Sequence, residues 1–310
     1  MHRFITAAVC SSPTCNSSVM MRNNCKDIGM QRGPWHTAMQ CQEPPCFVLR
    51  RMSKTGGTFA TELLRRVVSA SRLSIIKDSW PMACEIDWGQ QFMVGTMRNP
   101  CSFYSSLMQY TPEKPFEDGS PAAGFLPSEA AFAGFREGRV TPVTLAEWIV
   151  ATLSPEATGY FTYHFWTSWL RNECMSVKHS SCCSAQKMTH DLETLTNPQQ
   201  LAACWVFQDS LAEDLERCLE LYIHTFPQVH KDVKLASFNR SMAAVVSKFA
   251  RQPRNGTSKN PELHVAQNTT CGDLYSHGSF AKDFVMAADP YMFRAFGMAC
   301  CADRRGQFMT

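Results

Sequence analysis

The residues best equipped for chemistry stand together at Lys54-Thr55-Gly56-Gly57-Thr58. The lysine supplies a full positive charge, the threonines supply hydroxyl donors, and the paired glycines let the backbone come close to a bound anion. Such a stretch holds a phosphate or a sulfate when it opens a helix, because the first helical N–H groups point outward without partners. An ordinary strand-to-helix turn also carries Gly-Gly, with its lysine in solvent. The suitability of all five residues for an anion favours the site. Arg98 and Ser106, eight residues apart, form a second pair. A guanidinium donates to two oxygens at once, and a serine on the following helix adds a hydroxyl aimed at the same group. Alone, Arg98-Asn99-Pro100 is also what a solvated turn looks like.

These groups need elements to position them. Cys46 to Leu49 is a short apolar run suited to a buried strand, and Leu63, Leu64, Val67 and Val68 form one stripe of a helix. Glu62 precedes Arg66 by four residues on another face of that helix. Leu73 to Ile76 reads as a second strand and Phe92 to Met97 as a third, stopped by Pro100. Phe103, Tyr104, Leu107 and Met108 then mark a helical face. Trp205 to Phe207 is a further short strand, followed by a helix carrying Leu211, Leu215, Leu219 and Tyr222. Buried strands joined by crossovers predict an α/β fold of three layers with a mainly parallel sheet. Residues 1–43, rich in Cys and Ser, read as an arm or leader, and 44–310 as a single domain. Thr144 and Glu147 resemble a capping box ahead of Trp148. Residues 111–139 read as a loop with one short helix, placed to wall an acceptor site. The aromatic stretch from Gly159 to Leu170 favours a core-packed helix, with an aromatic pocket wall or adenine stacking as the alternative.

In the usual nucleotide triphosphate loop the lysine follows the last glycine, whereas Lys54 precedes both. The order resembles instead the 5′-phosphosulfate loop of the sulfotransferase superfamily, whose donor is 3′-phosphoadenosine 5′-phosphosulfate (PAPS). Arg98-Asn99-Pro100 with Ser106 resembles that family's 3′-phosphate motif. Weaker likenesses to the carbohydrate-type members lie at 207–215, 274–285 and 289–297, so the resemblance runs from about Pro45 to Gly297. It implies the sulfotransferase version of the P-loop nucleotide-hydrolase-like fold. It also implies in-line transfer of a sulfuryl group to a hydroxyl or amine of a glycan or small natural product, without a metal. Lys54, Thr55, Gly56, Gly57 and Thr58 would then hold the 5′ side and the leaving group, and Arg98 and Ser106 the 3′-phosphate. A late basic loop closes over PAPS in the family. Arg254 or Lys259 would serve there, although a solvated surface loop is the stronger reading of both. The family's base is a histidine or glutamate some twenty residues before the arginine. Here that place holds Asp78, with Glu85 second and a turn-capping role for Asp78 as the alternative. A non-catalytic adenosine bisphosphate-binding module stays open because the family histidine is missing. A P-loop kinase is disfavoured by the shifted lysine and the lack of a magnesium aspartate.

Composition bounds the partners. The 310 residues suffice for one large domain, and a net charge of +3 without a basic run of five argues against nucleic acid. No stretch of eighteen apolar residues predicts an integral membrane span. The first ten residues read as a poor signal peptide, and the N-terminal anchor of many Golgi sulfotransferases is not visible. Fifteen cysteines, an odd number, leave at least one outside intrachain disulfides. Cys46, Cys101, Cys204 and Cys218, beside apolar residues, read as buried free thiols, with a partly disulfide-linked or a metal-bound set as the alternatives. That predicts a mostly reduced chain in the cytoplasm in preference to the Golgi or secretory route. Only the secretory route would use the sequons at Asn16, Asn239, Asn255 and Asn268. The acceptor's identity and the oligomeric state are not legible here.

Overall fold

The computed structural model describes residues 41–52, 55–77, 89–110, 142–152, 158–170, 185–195, 197–250, 271–276 and 279–302. Its strands are β1 (Cys46–Arg51), β2 (Leu73–Lys77), β3 (Gln91–Met97) and β4 (Cys204–Phe207). They pair in the order β2-β1-β3-β4, every neighbour parallel, with Leu49 opposite Ile75 on one side and Val94 on the other. The helices are α1 (Gly57–Val67), α2 (Pro100–Tyr110), α3 (Pro142–Thr152), α4 (Tyr160–Trp169), α5 (Ala185–Thr194), α6 (Leu211–Thr225), α7 (Phe238–Ala250), α8 (Cys271–Ser276), α9 (Ser279–Ala288) and α10 (Pro290–Phe296).

Helices cover both faces of this small parallel sheet, which is why its strands are mostly apolar on both sides instead of alternating. Phe47 and Leu49 of β1 join Phe92, Val94, Cys204 and Val206 in one core, closed by α1, α6 and α7. Val48 and Met52 point the other way, with Met93 and Met97, into a second core closed by α2 to α5 and α8 to α10. The aromatic stretch is core: Tyr160, Phe161, Phe165, Trp166 and Trp169 of α4 are all buried in the second cluster. Gly95 of β3 admits this packing, since a Cβ there would lie 2.2 Å from the Trp205 ring and 2.9 Å from that of Trp169.

Two expectations are corrected. Thr144 is not an N-cap, because α3 already begins at Pro142. Proline's fixed φ and missing N–H suit a first helical position, and the helix starts there. Glu62 pairs with Arg65 at 3.5 Å and with Lys248 of α7 at 2.7 Å. The lysine arrives from another helix, which no local spacing announces. The larger correction concerns sulfur. Cys46, Cys101, Cys204 and Cys218 are not free thiols: the disulfides are Cys41–Cys46, Cys101–Cys300, Cys204–Cys218 and Cys271–Cys301. Among the described residues no cysteine is free. Apolar neighbours announce burial, but not whether a second sulfur arrives from elsewhere, and Cys300 stands 199 residues beyond Cys101.

Candidate functional site

From β1 the chain passes to β2 on one side, then crosses back to β3 on the other. The carboxyl ends of β1 and β3 therefore flank a topological switch point, the place where open parallel sheets leave a crevice for ligands. Both sequence motifs emerge here.

At the end of β1, Gly56 adopts φ +81° and caps α1. A side chain at this φ is strained, and a Cβ would also stand 2.5 Å from Leu211 Cδ1. Gly57 is needed for a different reason: a Cβ would lie 2.6 Å from that of Arg51. Among the described residues no side chain caps α1, and its first turn has no acidic residue, so its positive end keeps its charge. Thr58 lies in that first turn, its Oγ1 accepting from Arg51 Nη1 at 3.4 Å.

Thr55 departs from its expected role. It is fully buried, and its Oγ1 donates to the Met52 carbonyl at 2.7 Å. With that proton committed, the Thr96 hydroxyl donates to Thr55 Oγ1 across 2.5 Å, while accepting from the Met52 N–H at 3.2 Å. The hydroxyl thus braces the loop against β3 instead of offering itself to an anion. Buried between two strands, it meets internal acceptors first.

Arg98 follows β3 directly and is half-buried. Burial pushes its guanidinium down to about 10, and Asp209 and then Tyr275 pull the other way. It is cationic at neutral pH. Ser106 stands half-buried on α2, almost two turns into the helix. The end of β4 completes the edge. Gln208 Cγ lies 3.4 Å from where a Gly56 Cβ would be, and Asp209 is exposed beside the arginine.

Lys54, Asp78, Glu85, Arg254 and Lys259 lie outside the described residues. Lys77, which Asp78 follows in sequence, is paired with Arg51, so β2 ends at the same edge of the sheet as β1. Sequence reasoning missed Gln208, Asp209 and Tyr275. Only the likeness of their segments to other chains singled any of them out, since no spacing rule joins β3 to residues that return from far along the chain.

Among the described residues one group of side chains has metal-ligand proximity, Cys101, Cys300 and Cys301. All three sulfurs are in disulfides, so none is the thiolate that a metal requires. No helix among the described residues is long and apolar enough to cross a membrane.

No protein-family model, no curated protein and no solved structure matches the chain. The likeness of the two motifs therefore does not extend to a match. The labels it brought, transferase, sulfotransferase, sulfation, PAPS binding, nucleotide binding and P-loop-like, are withdrawn as a classification of the chain.

Proposed function

We propose, from the resemblance of the two motifs and from where the fold brings them, that the edge between β1 and β3 binds PAPS. On this reading the chain is an enzyme that moves the sulfuryl group to a hydroxyl or amine of a carbohydrate or small acceptor. One observation carries the reading. Two groups suited to anions, the uncapped glycine-framed start of α1 and the cationic Arg98, stand at the ends of adjacent parallel strands across the switch point. A nucleoside with a phosphate on each of two sides of its ribose suits such a pair.

In the transfer, the bond between sulfur and the 5′-phosphate oxygen breaks as sulfur bonds to the acceptor. Lys54 and the N–H groups of α1 neutralise the charge that appears on the leaving phosphate. The acceptor's proton passes to a carboxylate, Asp78 ahead of Glu85, and burial would bring either toward the neutral range a base needs. As in phosphoryl transfer, positioning and electrostatics carry most of the catalysis.

The disulfides revise the compartment. Four among the described residues favour an oxidising, secretory setting over the cytoplasm, where thiols are kept reduced.

The test is calorimetric binding of 3′-phosphoadenosine 5′-phosphate and adenosine 5′-phosphate to wild type and Arg98→Ala, with sulfate transfer to a hydroxyl library alongside. Wild type is expected to prefer the bisphosphate, and Arg98→Ala to lose about 2–5 kcal/mol of that binding, as for a desolvated charged pair. Equal losses for both ligands, or a wild type that binds ATP in their place, overturn the reading.

A further inference from the structure

We propose that Asn99 and the Cys101–Cys300 disulfide form a clasp that positions Arg98 for the 3′-phosphate; this rests on the role given to Arg98 above. Upstream, the ladder of β3 holds the chain as far as Met97, paired with Phe207. Downstream, Pro100 brings no N–H, so residues 98–100 need other ties. Asn99 is fully buried and supplies several. Its Oδ1 accepts from the Cys101 N–H at 3.0 Å, which caps α2. Its Nδ2 donates to the carbonyls of Ala299 at 2.6 Å and Ala302 at 3.2 Å.

Capping alone explains the first bond and none of the others. Cys101, two residues after Asn99, is bonded to Cys300, inside the segment that Asn99 grips. The Cys101 carbonyl accepts from Tyr275 Oη at 2.9 Å and from Ser105 Oγ at 3.0 Å. Tyr275 belongs to α8, and the Cys271–Cys301 disulfide ties that helix to the same segment. Cys300 and Cys301 Sγ are 3.8 Å apart, so the two disulfides meet at one point. Tyr275 also lies close enough to Arg98 to favour its charged form. The direct ties fall on Asn99 and Cys101, and apart from the helical bonds of Phe103 and Ser105 they come from far along the chain.

Asn99→Ser separates positioning from capping, because serine caps about as well as asparagine but cannot reach the two carbonyls. Cys101→Ala/Cys300→Ala removes the covalent tie. Cys204→Ala/Cys218→Ala, in the opposite core, is the control for general destabilisation. Calorimetry reads the ratio of Kd values for adenosine 5′-phosphate and 3′-phosphoadenosine 5′-phosphate. Both clasp variants are expected to cut this preference about tenfold to a hundredfold, the scale of small misplacements, with adenosine 5′-phosphate affinity unchanged. The control is expected to leave the ratio alone. If wild type shows no preference, the reading of Arg98 itself falls. If wild type prefers the bisphosphate while Asn99→Ser keeps the ratio, or weakens both ligands in proportion, the clasp falls and that reading stands. Should the double cysteine variant fail to fold, Asn99→Ser decides alone.

Discussion

The Asp289 carboxylate is fully buried and accepts from Tyr104 Oη at 2.5 Å and from the Thr162 N–H at 2.8 Å. Tyr104 Oη in turn accepts from the Phe161 N–H at 3.2 Å, so two distant residues satisfy the start of α4. Burial raises the Asp289 pKa, with the bonds from Thr162 and Tyr104 acting against it. A carboxyl whose native pKa is raised contributes stability that is full below its unfolded value and is lost as pH climbs through the native one. The wild type's margin over Asp289→Asn, which does not titrate, should therefore be widest below about pH 4 and shrink above it. Urea unfolding of both proteins across pH 3 to 7 checks this; a margin that widens with pH would reverse the sign. Asp289→Ala should cost about 1–3 kcal/mol for each buried donor it strands. Lys54 belongs to the opposite kind of residue. It precedes α1 and is no part of the buried Leu63, Leu64 and Val67 stripe, so Lys54→Ala should abolish sulfate transfer and leave Tm unchanged. Turnover near the wild-type rate would remove it from the mechanism.

Between β1 and α1, sequence reading asked one thing of both glycines, that they let an anion approach. The structure separates them: Gly56 is required by its positive φ and Gly57 by the flank of Arg51. Gly57→Ala must shift either Arg51 or the first turn of α1, and overpacking of this kind costs about 1–3 kcal/mol. The variant should also bind 3′-phosphoadenosine 5′-phosphate more weakly, because the displaced N–H groups are those proposed to face the anion. Urea unfolding combined with calorimetry measures both, and a destabilised variant with undiminished affinity would place the anion elsewhere. The strands were legible because sheet burial on both faces turns them into short apolar runs. The start of α3 was not, since Pro142 and Thr144 each carry a helix-start signal and the earlier one prevailed.

Across the molecule, the covalent ties close very different loops, from 5 residues for Cys41–Cys46 to 199 for Cys101–Cys300. Long loops lose the most denatured-state entropy when closed, and removing a native disulfide typically costs about 2–5 kcal/mol. Thermal unfolding with and without a dithiol reductant should show a clear fall in Tm under reduction. An unchanged Tm would mean that the ties add nothing to a core already sufficient on its own.

Local signals established the strand-loop-helix around Gly56, the β3 to α2 turn around Arg98 and the core nature of the α4 aromatics. In each, the signals for where the elements start and stop lie in near neighbours, although the ties that hold the Arg98 turn come from far along the chain. Tertiary structure decided the rest. Thr55 meets Thr96, Asp289 reaches the start of α4, and Asn99 grips Ala299 and Ala302, all across long separations. Cysteine state was the sharpest case, because burial is written in neighbouring residues but a disulfide needs a partner that only the fold brings within reach.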